Sequence, residues 1–218
     1  MAKKSKSEFA VIGLGRFGIN VARRLEEMGH SVLGIESDPL VAKKMESDLT
    51  EVYVLDATNP DALVEADITS FKTVVVSISE DFETSALVTS TLKNMGIENI
   101  ICLAGSTRHK EILERIGANR VVIPARESGI QLADELSTPG MLDSLQLSAD
   151  YSLIEVRNPP GLVGKSIHEC EKYEVALLLI IRGNDLMLSP AGETTLQKGD
   201  ILVVVGDKTH LTEFNSLT

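Results

Sequence analysis

Tryptophan is absent from the 218-residue sequence, and aromatic residues make up only 4% of it. A hydrophobic core must therefore be built from aliphatic side chains, and hydrophobic residues do reach 43% of the composition. The only two cysteines, Cys102 and Cys170, lie far apart and form neither a CxxC motif nor a Cys/His cluster. This arrangement argues against a disulfide framework or a metal site and favours reduced thiols in the cytosol.

Cations and long apolar runs are also scarce. Lys and Arg number 21 against 32 Asp and Glu, so the formal net charge is −11 at pH 7. This balance argues against nucleic-acid binding, which depends on neutralising phosphates with cations. The longest apolar run, residues 175–181, is far shorter than the roughly 20 residues of a membrane-spanning helix. No apolar segment of the kind found in secretory signals follows the basic N-terminus.

Short aliphatic runs alternate with helical periodicity through the first two thirds of the sequence. Because these runs are continuously aliphatic, we expect strands that are buried on both faces. The alternation predicts an α/β fold with a doubly wound parallel sheet of the Rossmann type. The six predicted strands cover residues 9–12, 31–35, 52–55, 73–78, 100–103 and 121–123.

The last third of the sequence has a different character. A helix is predicted over residues 128–136, followed by a turn at 137–140 and then by strand-rich sequence. We predict a first domain over residues 1–125, a crossover helix and hinge over 126–147, and a small α+β lobe over 148–218. A lobe of this size gains stability by association.

A glycine-rich turn follows the first predicted strand and opens a helix. Gly13 would allow the tight turn, Gly15 the close approach of a pyrophosphate, and Gly18 the close packing of helix against strand. The acidic Glu36 ends the next strand, close to the separation of about 20 residues typical of dinucleotide-binding motifs. Its carboxylate would accept hydrogen bonds from ribose hydroxyls and repel a 2′-phosphate. The alternative is that the glycines serve only the turn and the packing.

Other candidate residues lie in this turn or at the ends of later strands. Arg16 would contact phosphates, or else pair with a surface carboxylate. Residues 56–58 would contact the adenosine or cap a helix, and Ser77 would edge the same crevice or simply end its strand. The candidate cofactor-binding residues are Gly13, Gly15, Arg16, Phe17, Gly18, Glu36, Asp56, Ala57, Thr58 and Ser77.

Catalytic motifs are missing from the sequence. The four histidines are scattered, and no GxSxG, HExxH or GxxxxGK[ST] pattern occurs. A nucleotide site without catalytic residues indicates a sensor and not an enzyme. Two alternatives stay open: an NAD-dependent oxidoreductase, and a nucleotide sensor for a different cation transporter.

The whole chain resembles one family. It is similar to the RCK-domain regulatory subunits of bacterial potassium uptake systems, the KtrA/TrkA group, in both its halves. The first half carries FAVIGLGRFG at 9–18, VLDAT at 54–58 and ESGIQLADEL at 127–136. The second half carries PGLVGKSI at 160–167 and LSPAGETTLQKGDILVVVG at 188–206.

The resemblance implies a cytoplasmic homo-oligomeric ring, usually an octamer, at the inner face of the membrane. Such a ring docks on a separate potassium pore subunit of the KtrB/TrkH kind and gates it according to bound ATP, ADP or NAD(H). By the same resemblance, Gly13, Gly15 and Gly18 match the phosphate loop, Arg16 the phosphate-binding arginine and Glu36 the ribose acid. The helix at 127–136 would cross to a partner subunit. Some relatives bind cyclic di-AMP in the C-terminal lobe, where residues 175–181 would form a wall or simply a buried strand.

Two positions depart from the pattern of KtrA-like members. Leu103 stands where a basic residue often ends the fifth strand, and Ala125 where an acidic residue associated with a divalent cation often follows the sixth. Both departures remove charges suited to a triphosphate and its metal. They favour ADP, NAD or another ligand over ATP with a metal.

Overall fold

The protein is described by a computed structural model that covers residues 8–137 and 140–217. The chain divides into two compact units, Met1–Ala125 and Arg126–Thr218. Two residues of the predicted 137–140 turn, Thr138 and Pro139, lie outside the described residues.

The first unit is built on a six-stranded parallel sheet, which confirms the predicted doubly wound fold. Its strand order is β3-β2-β1-β4-β5-β6, so the direction of strand addition reverses between β1 and β4. In Rossmann-type sheets this reversal opens a crevice at the carboxyl ends of the strands, where ligands bind. The strands are β1 Phe9–Ile12, β2 Val32–Glu36, β3 Glu51–Val54, β4 Thr73–Val76, β5 Asn99–Leu103 and β6 Arg120–Val122.

Helices connect these strands, and polar side chains begin most of them. The Asp38 side chain accepts a hydrogen bond from the Leu40 N–H, and Pro39 follows it at the first helical position, so a helix that we did not predict begins here. The connecting helices are α1 Arg16–Glu27, α2 Pro39–Met45, α3 Pro60–Glu65, α4 Phe82–Asn94 and α5 Thr107–Ile116, and α6 Pro124–Ser137 follows β6 and belongs to the second unit from Arg126 on.

Two hydrophobic clusters cover the two faces of this sheet. In β1, Ala10 and Ile12 enter one cluster and Val11 enters the other, as expected for a strand buried on both sides. The expectation of burial is wrong for β3. Because β3 is the edge strand, Tyr53 and Val54 are exposed.

The second unit contains a five-stranded antiparallel sheet of order β10-β9-β11-β8-β7. Its core, which includes Phe214, Leu202 and Val156, covers one face of the sheet. The strand β7 lies inside the range assigned above to the crossover helix and hinge. The elements are β7 Met141–Gln146, β8 Tyr151–Arg157, α7 Ile167–Cys170, β9 Ala176–Arg182, β10 Asp185–Leu188, β11 Ile201–Asp207 and α8 Lys208–Asn215.

The opposite face of the second sheet is aliphatic along β9, β10 and β11, and carries Glu155 and Arg157 of β8 by register. Leu188 pairs with Leu179, which in turn pairs with Val203, so these three side chains share one face. Leu186 and Leu145 belong to the same face by register. Leu188 is 71% exposed within the chain, and Leu186 and Leu145 are also exposed. We call this surface the open aliphatic face.

Candidate functional site

The turn between β1 and α1 is held in a tight conformation. Gly13 has a φ of +90°, which favours glycine, and its N–H donates to the Ile35 carbonyl at 2.8 Å. A Cβ on Gly18 would lie 2.0 Å from the Gly13 carbonyl oxygen and 3.1 Å from the Ser77 side chain. Any larger residue at Gly18 would therefore push the helix away from the turn and from the end of β4.

The N-terminus of α1 faces open space. Gly15 precedes the first helical residue and has no side chain to cap the helix, and the first turn, RFGI, contains no acidic residue. Among the described residues, no atom lies within 4 Å of where a Cβ on Gly15 would stand. The first N–H groups of a helix lack intrahelical partners and carry partial positive charge, so this end can receive an anion.

Arg16 is the first residue of α1 and is exposed beside this opening. It forms no ion pair with a residue of the described part of the chain. The surface carboxylate pair considered above is therefore not observed among these residues. The guanidinium is available for an incoming phosphate, to which it could donate two parallel hydrogen bonds.

Glu36 is fixed at the end of β2 by backbone donors. Its Oε2 accepts from the Leu14 N–H at 2.7 Å, and its Oε1 accepts from the N–H groups of Ser37 at 2.8 Å and Asp38 at 3.0 Å. These bonds tie the carboxylate to the glycine turn and set its orientation. Oε2 has a second lone pair, so it retains capacity for a ribose hydroxyl.

Residues 56–58 form a turn before α3. Asp56 Oδ1 accepts from the Thr58 N–H at 2.9 Å and from the Thr58 hydroxyl at 2.7 Å. These hydrogen bonds lower the pKa of Asp56 below its ordinary value, so the side chain is ionised at neutral pH. The Asn59 side chain then caps α3. The local structural role of Asp56 and Thr58 is thus present, and both hydrogen bonds use Oδ1 of Asp56.

Ser77 follows β4 at the foot of the crevice. Its side chain is buried, and the structure gives its hydroxyl no hydrogen-bond partner among the residues that it describes. Buried hydroxyls in folded proteins nearly always have a partner, and an orphan calls for an explanation such as a water or ligand. Ser77 lies beside Gly18 and in the wall of the crevice, with its hydroxyl oxygen itself buried.

A cleft of about 890 Å³ joins these groups at the carboxyl edge of the sheet. Every predicted site residue except Gly18 lines it, and Gly18 supports the turn from below. Leu103 and Ala125, the two departures from the family pattern, line it as well. The volume lies in the range of about 300–1,000 Å³ typical of small-molecule sites.

Several lining residues were missed by the sequence analysis, namely Ser37, Leu55, Ile78, Glu80, Asp81, Thr84, Ala104, Gly105 and Pro124. Most of them directly follow β2, β3, β4, β5 or β6. The available signal was the rule that parallel strands present their carboxyl ends at one edge, applied in full to every strand and not only to single positions after the first four.

Other types of site were sought in the same residues. The described parts of the chain hold no group of three or more His, Cys, Asp or Glu side chains arranged for a metal ion. Among the helices described, none is both long and apolar enough to cross a membrane. Cys102 and Cys170 are buried free thiols.

Solved structures with this fold include ligand-bound channel domains. The GsuK channel bound to NAD superimposes with a TM-score of 0.69 at 19% identity, covering 100% of this chain and 40% of that one. GsuK bound to ADP gives a TM-score of 0.52 at 20% identity, covering 57% of this chain and 33% of that one. The chain thus spans well under half of these channel chains, and the likeness shows the fold.

Sequence comparison identifies the family. Residues 9–124 match the TrkA-N domain and residues 152–218 the TrkA-C domain. Ktr system potassium uptake protein A of Bacillus subtilis (strain 168) is 34% identical over 219 residues, covering 99% of both chains. Ktr system potassium uptake protein C of the same strain is 31% identical over 212 residues, covering 96% of both. The chain therefore belongs to the family of TrkA-N/TrkA-C proteins that includes the Ktr system potassium uptake proteins A and C.

Proposed function

We propose that this protein is a non-enzymatic regulatory subunit that binds an adenine nucleotide and gates a separate membrane potassium transporter from the cytoplasmic side. The observation that carries the proposal is the uncapped N-terminus of α1, with Arg16 beside it forming no ion pair with a described residue and Glu36 held at the end of the neighbouring strand. The relatives named for potassium uptake support the transport role, and the NAD-bound and ADP-bound neighbours support a nucleotide ligand.

The proposed binding mode follows from the charges along the cleft. Phosphates bind at the α1 N-terminus and Arg16, and the adenosine ribose donates its hydroxyl protons to Glu36. The purine lies over Ile35 and Leu55, which line the same side of the cleft. A 2′-phosphate would meet the Glu36 carboxylate, so NADP(H) is excluded by charge.

The cleft residues can convert binding into a change of state only through differential affinity. A ligand that moves a two-state protein from mostly one form to mostly the other must prefer one form by about 5.5 kcal/mol. Where several copies of the site lie in one assembly, their preferences add up to this free energy. The phosphate contacts at Gly15 and Arg16 would supply the preference, and the transporter would respond to the resulting shape.

Self-association is part of the proposal. The open aliphatic face of the second sheet is the kind of exposed apolar surface that marks a protein–protein contact, and a second copy is its proposed partner. A ring of eight copies stays a prediction from the family resemblance. Cyclic di-AMP, predicted above for this lobe, belongs in the titrations because two such faces would enclose an apolar groove beside β9.

The test is a comparison of two arginine variants of α1. Arg16→Gln should weaken ADP and NADH binding in calorimetry by about tenfold, the loss of one charge-assisted contact. The matched control is Arg24→Gln, because Arg24 is on the same helix but pairs with Glu27 at 2.9 Å and lies outside the cleft. Potassium uptake by cells that express the transporter should follow the same order.

Three results would contradict the proposal. The first is absence of adenine-nucleotide binding to the full chain, and the second is unchanged uptake with Arg16→Gln. The third is turnover of NADH with a small substrate, which would favour the oxidoreductase alternative. Co-purification with a cation antiporter instead of a potassium transporter would favour the other alternative, a sensor for a different transporter.

A further inference from the structure

The cleft carries an excess of negative charge. Within the described residues, one cationic side chain lines it, Arg16, against four carboxylates, Glu36, Asp56, Glu80 and Asp81. Glu36 is engaged by backbone N–H groups and suits the ribose, so it is explained by the proposed binding mode. Asp56 orders the turn before α3 and Asp81 caps α4, whereas Glu80 has no such bonds to described residues, and all three add to the field that a ligand meets.

Hydrogen bonds from threonines lower the pKa of two of these carboxylates, Asp56 and Asp81. Asp81 Oδ1 accepts from the Thr84 N–H at 3.1 Å and its Oδ2 from the Thr84 hydroxyl at 2.7 Å, which lowers the pKa of Asp81. Thr58 does the same for Asp56. Glu80 is exposed, and it has neither a hydrogen bond nor an ion pair with any described residue. Nothing in this part of the chain therefore neutralises Glu80.

The sheet order places Glu80 and Asp81 next to the phosphate end of the cleft. They follow β4, which neighbours β1 on the side away from β2 and Glu36. A ligand that runs from Glu36 past the glycine turn therefore reaches the loop after β4. The wall beyond it, after β5 and β6, is built from uncharged residues that include Leu103, Gly105 and Ala125.

The positive charge available for phosphates is limited. A helix N-terminus is equivalent to roughly half a unit charge, and Arg16 adds one. The buried Ser77 hydroxyl adds a neutral donor without a described partner. A pyrophosphate bridge with two charges is nearly matched by these groups. A triphosphate is not, because a terminal phosphate ionises twice and brings ATP to about −4, against about −2 for NADH or ADP-ribose.

From this charge inventory we infer that the cleft selects pyrophosphate-linked adenine dinucleotides, or their ADP-ribose core, over nucleoside triphosphates, with Glu80 as a selectivity-determining residue. The inference rests on the proposed nucleotide site and names the ligand class of that site. The nucleoside beyond the pyrophosphate would lie along the uncharged wall, where no further cation is required.

A charge series tests the inference on the full chain. Without divalent cations, affinity in calorimetry should fall from NADH and ADP-ribose to ADP and then ATP, with ATP about tenfold or more weaker than NADH. ADP-ribose separates charge from nicotinamide contacts, because it lacks the nicotinamide ring. Raising the salt concentration from about 0.05 M to about 0.5 M should reduce the ratio of NADH affinity to ATP affinity, because salt screens the repulsion between ATP and the cleft carboxylates. Tighter binding of ATP than of NADH, with or without Mg²⁺, would overturn the inference.

Two glutamate variants test whether Glu80 is responsible for this selectivity. Glu80→Gln should narrow the NADH-to-ATP affinity ratio by about threefold, the size expected for removing one exposed, partly screened charge. Glu83→Gln is the control, since Glu83 is exposed one residue into α4 but does not line the cleft. An unchanged ratio in Glu80→Gln would refute the role of Glu80 while leaving the nucleotide site intact. Binding of none of the four ligands would refute the proposed function as well.

Discussion

Two sets of polar groups, one in each unit, differ in whether they have partners within the chain. In the first unit, the α1 N-terminus and Arg16 face a cleft without partners among the described residues, and the buried Ser77 hydroxyl in its wall also lacks one. In the second, the deeply buried Asp200 accepts from Arg182 Nε and its terminal nitrogen, each at 2.8 Å, and from the Gln197 N–H at 2.8 Å. The N–H groups at the α1 N-terminus are therefore available to a ligand, whereas the Arg182–Asp200 pair stabilises the second unit.

The sheets themselves explain this difference. A parallel sheet gathers the ends of all its strands, and the loops and helix N-termini that follow them, at one edge. An antiparallel sheet alternates strand ends between both edges and can leave one face uncovered. The first unit consequently has a polar cleft, and the second has an exposed face with aliphatic side chains.

The largest expected effect is a loss of stability in the first unit when Gly18 is replaced. In Gly18→Ala, the new Cβ would stand 2.0 Å from a backbone oxygen, so we expect a loss of about 3 kcal/mol or more in the free energy of unfolding. Gly15→Ala is the matched variant, because its Cβ would meet open space. It should keep the stability and lose nucleotide affinity, as urea denaturation and calorimetry would show. Equal stability of the two variants would contradict this account of the turn.

The next largest effect is expected at the ion pair of the second unit. Arg182→Gln should lower the free energy of unfolding by about 2 kcal/mol at neutral pH, because Asp200 stays buried without its partner. Arg157→Gln, on the exposed end of β8, is the control and should change little.

The effect of Arg182→Gln should depend on pH in a defined direction. Hydrogen bonding to Arg182 holds the pKa of Asp200 below its ordinary value. Such a group contributes stability above its unfolded pKa of about 4, and the contribution is lost as pH falls through the lower folded pKa. The difference between the parent and Arg182→Gln should shrink in acid. A difference that stays constant to low pH would argue against the assignment.

A charge on the open aliphatic face should affect folding stability little and self-association clearly. Leu188→Glu places a charge on a side chain that is already exposed, so stability should change by less than about 0.5 kcal/mol. Self-association should weaken by about tenfold or more in light scattering or sedimentation. Thr212→Glu adds the same charge on α8 and serves as control. Assembly that is unaffected by Leu188→Glu would assign the contact to another surface.

The smallest expected effect is on nucleotide binding, when the Ser77 hydroxyl is removed. Ser77→Ala should leave stability unchanged or slightly raised and weaken nucleotide binding by about fivefold, the value of one hydrogen bond. Ser85→Ala is matched, because Ser85 also has a buried hydroxyl without a described partner but does not line the cleft. A similar loss of affinity in both variants would remove Ser77 from the site.

Most of the first unit could be predicted from sequence because its signals are local. Buried parallel strands are continuous aliphatic runs, and the glycine turn with Glu36 has a spacing that requires a strand, a turn and a helix. The helix α2 was missed although Asp38 and Pro39 carry the same start signal that Asn59 and Pro60 gave for α3.

The second unit was harder to predict because its pairings depend on distant partners. The strand β7 alternates weakly and is defined by its pairing with β8, and β10 is a four-residue strand that exists only as the return of a hairpin from β9. The exposure of β3 likewise follows from its position at the edge of the sheet, which an aliphatic run cannot reveal.

The sequence by itself determined the fold class, the phosphate-binding turn and the family, because each depends on residue types at fixed local spacing. Only the tertiary structure decided which polar groups lack a hydrogen-bond or ion-pair partner among the described residues. Arg16, which follows β1, and Ser77 and Glu80, which follow β4, line one cleft, and neither Arg16 nor Glu80 forms an ion pair with a described residue. Their balance of charge is a property of that shared edge, and chain order does not show it.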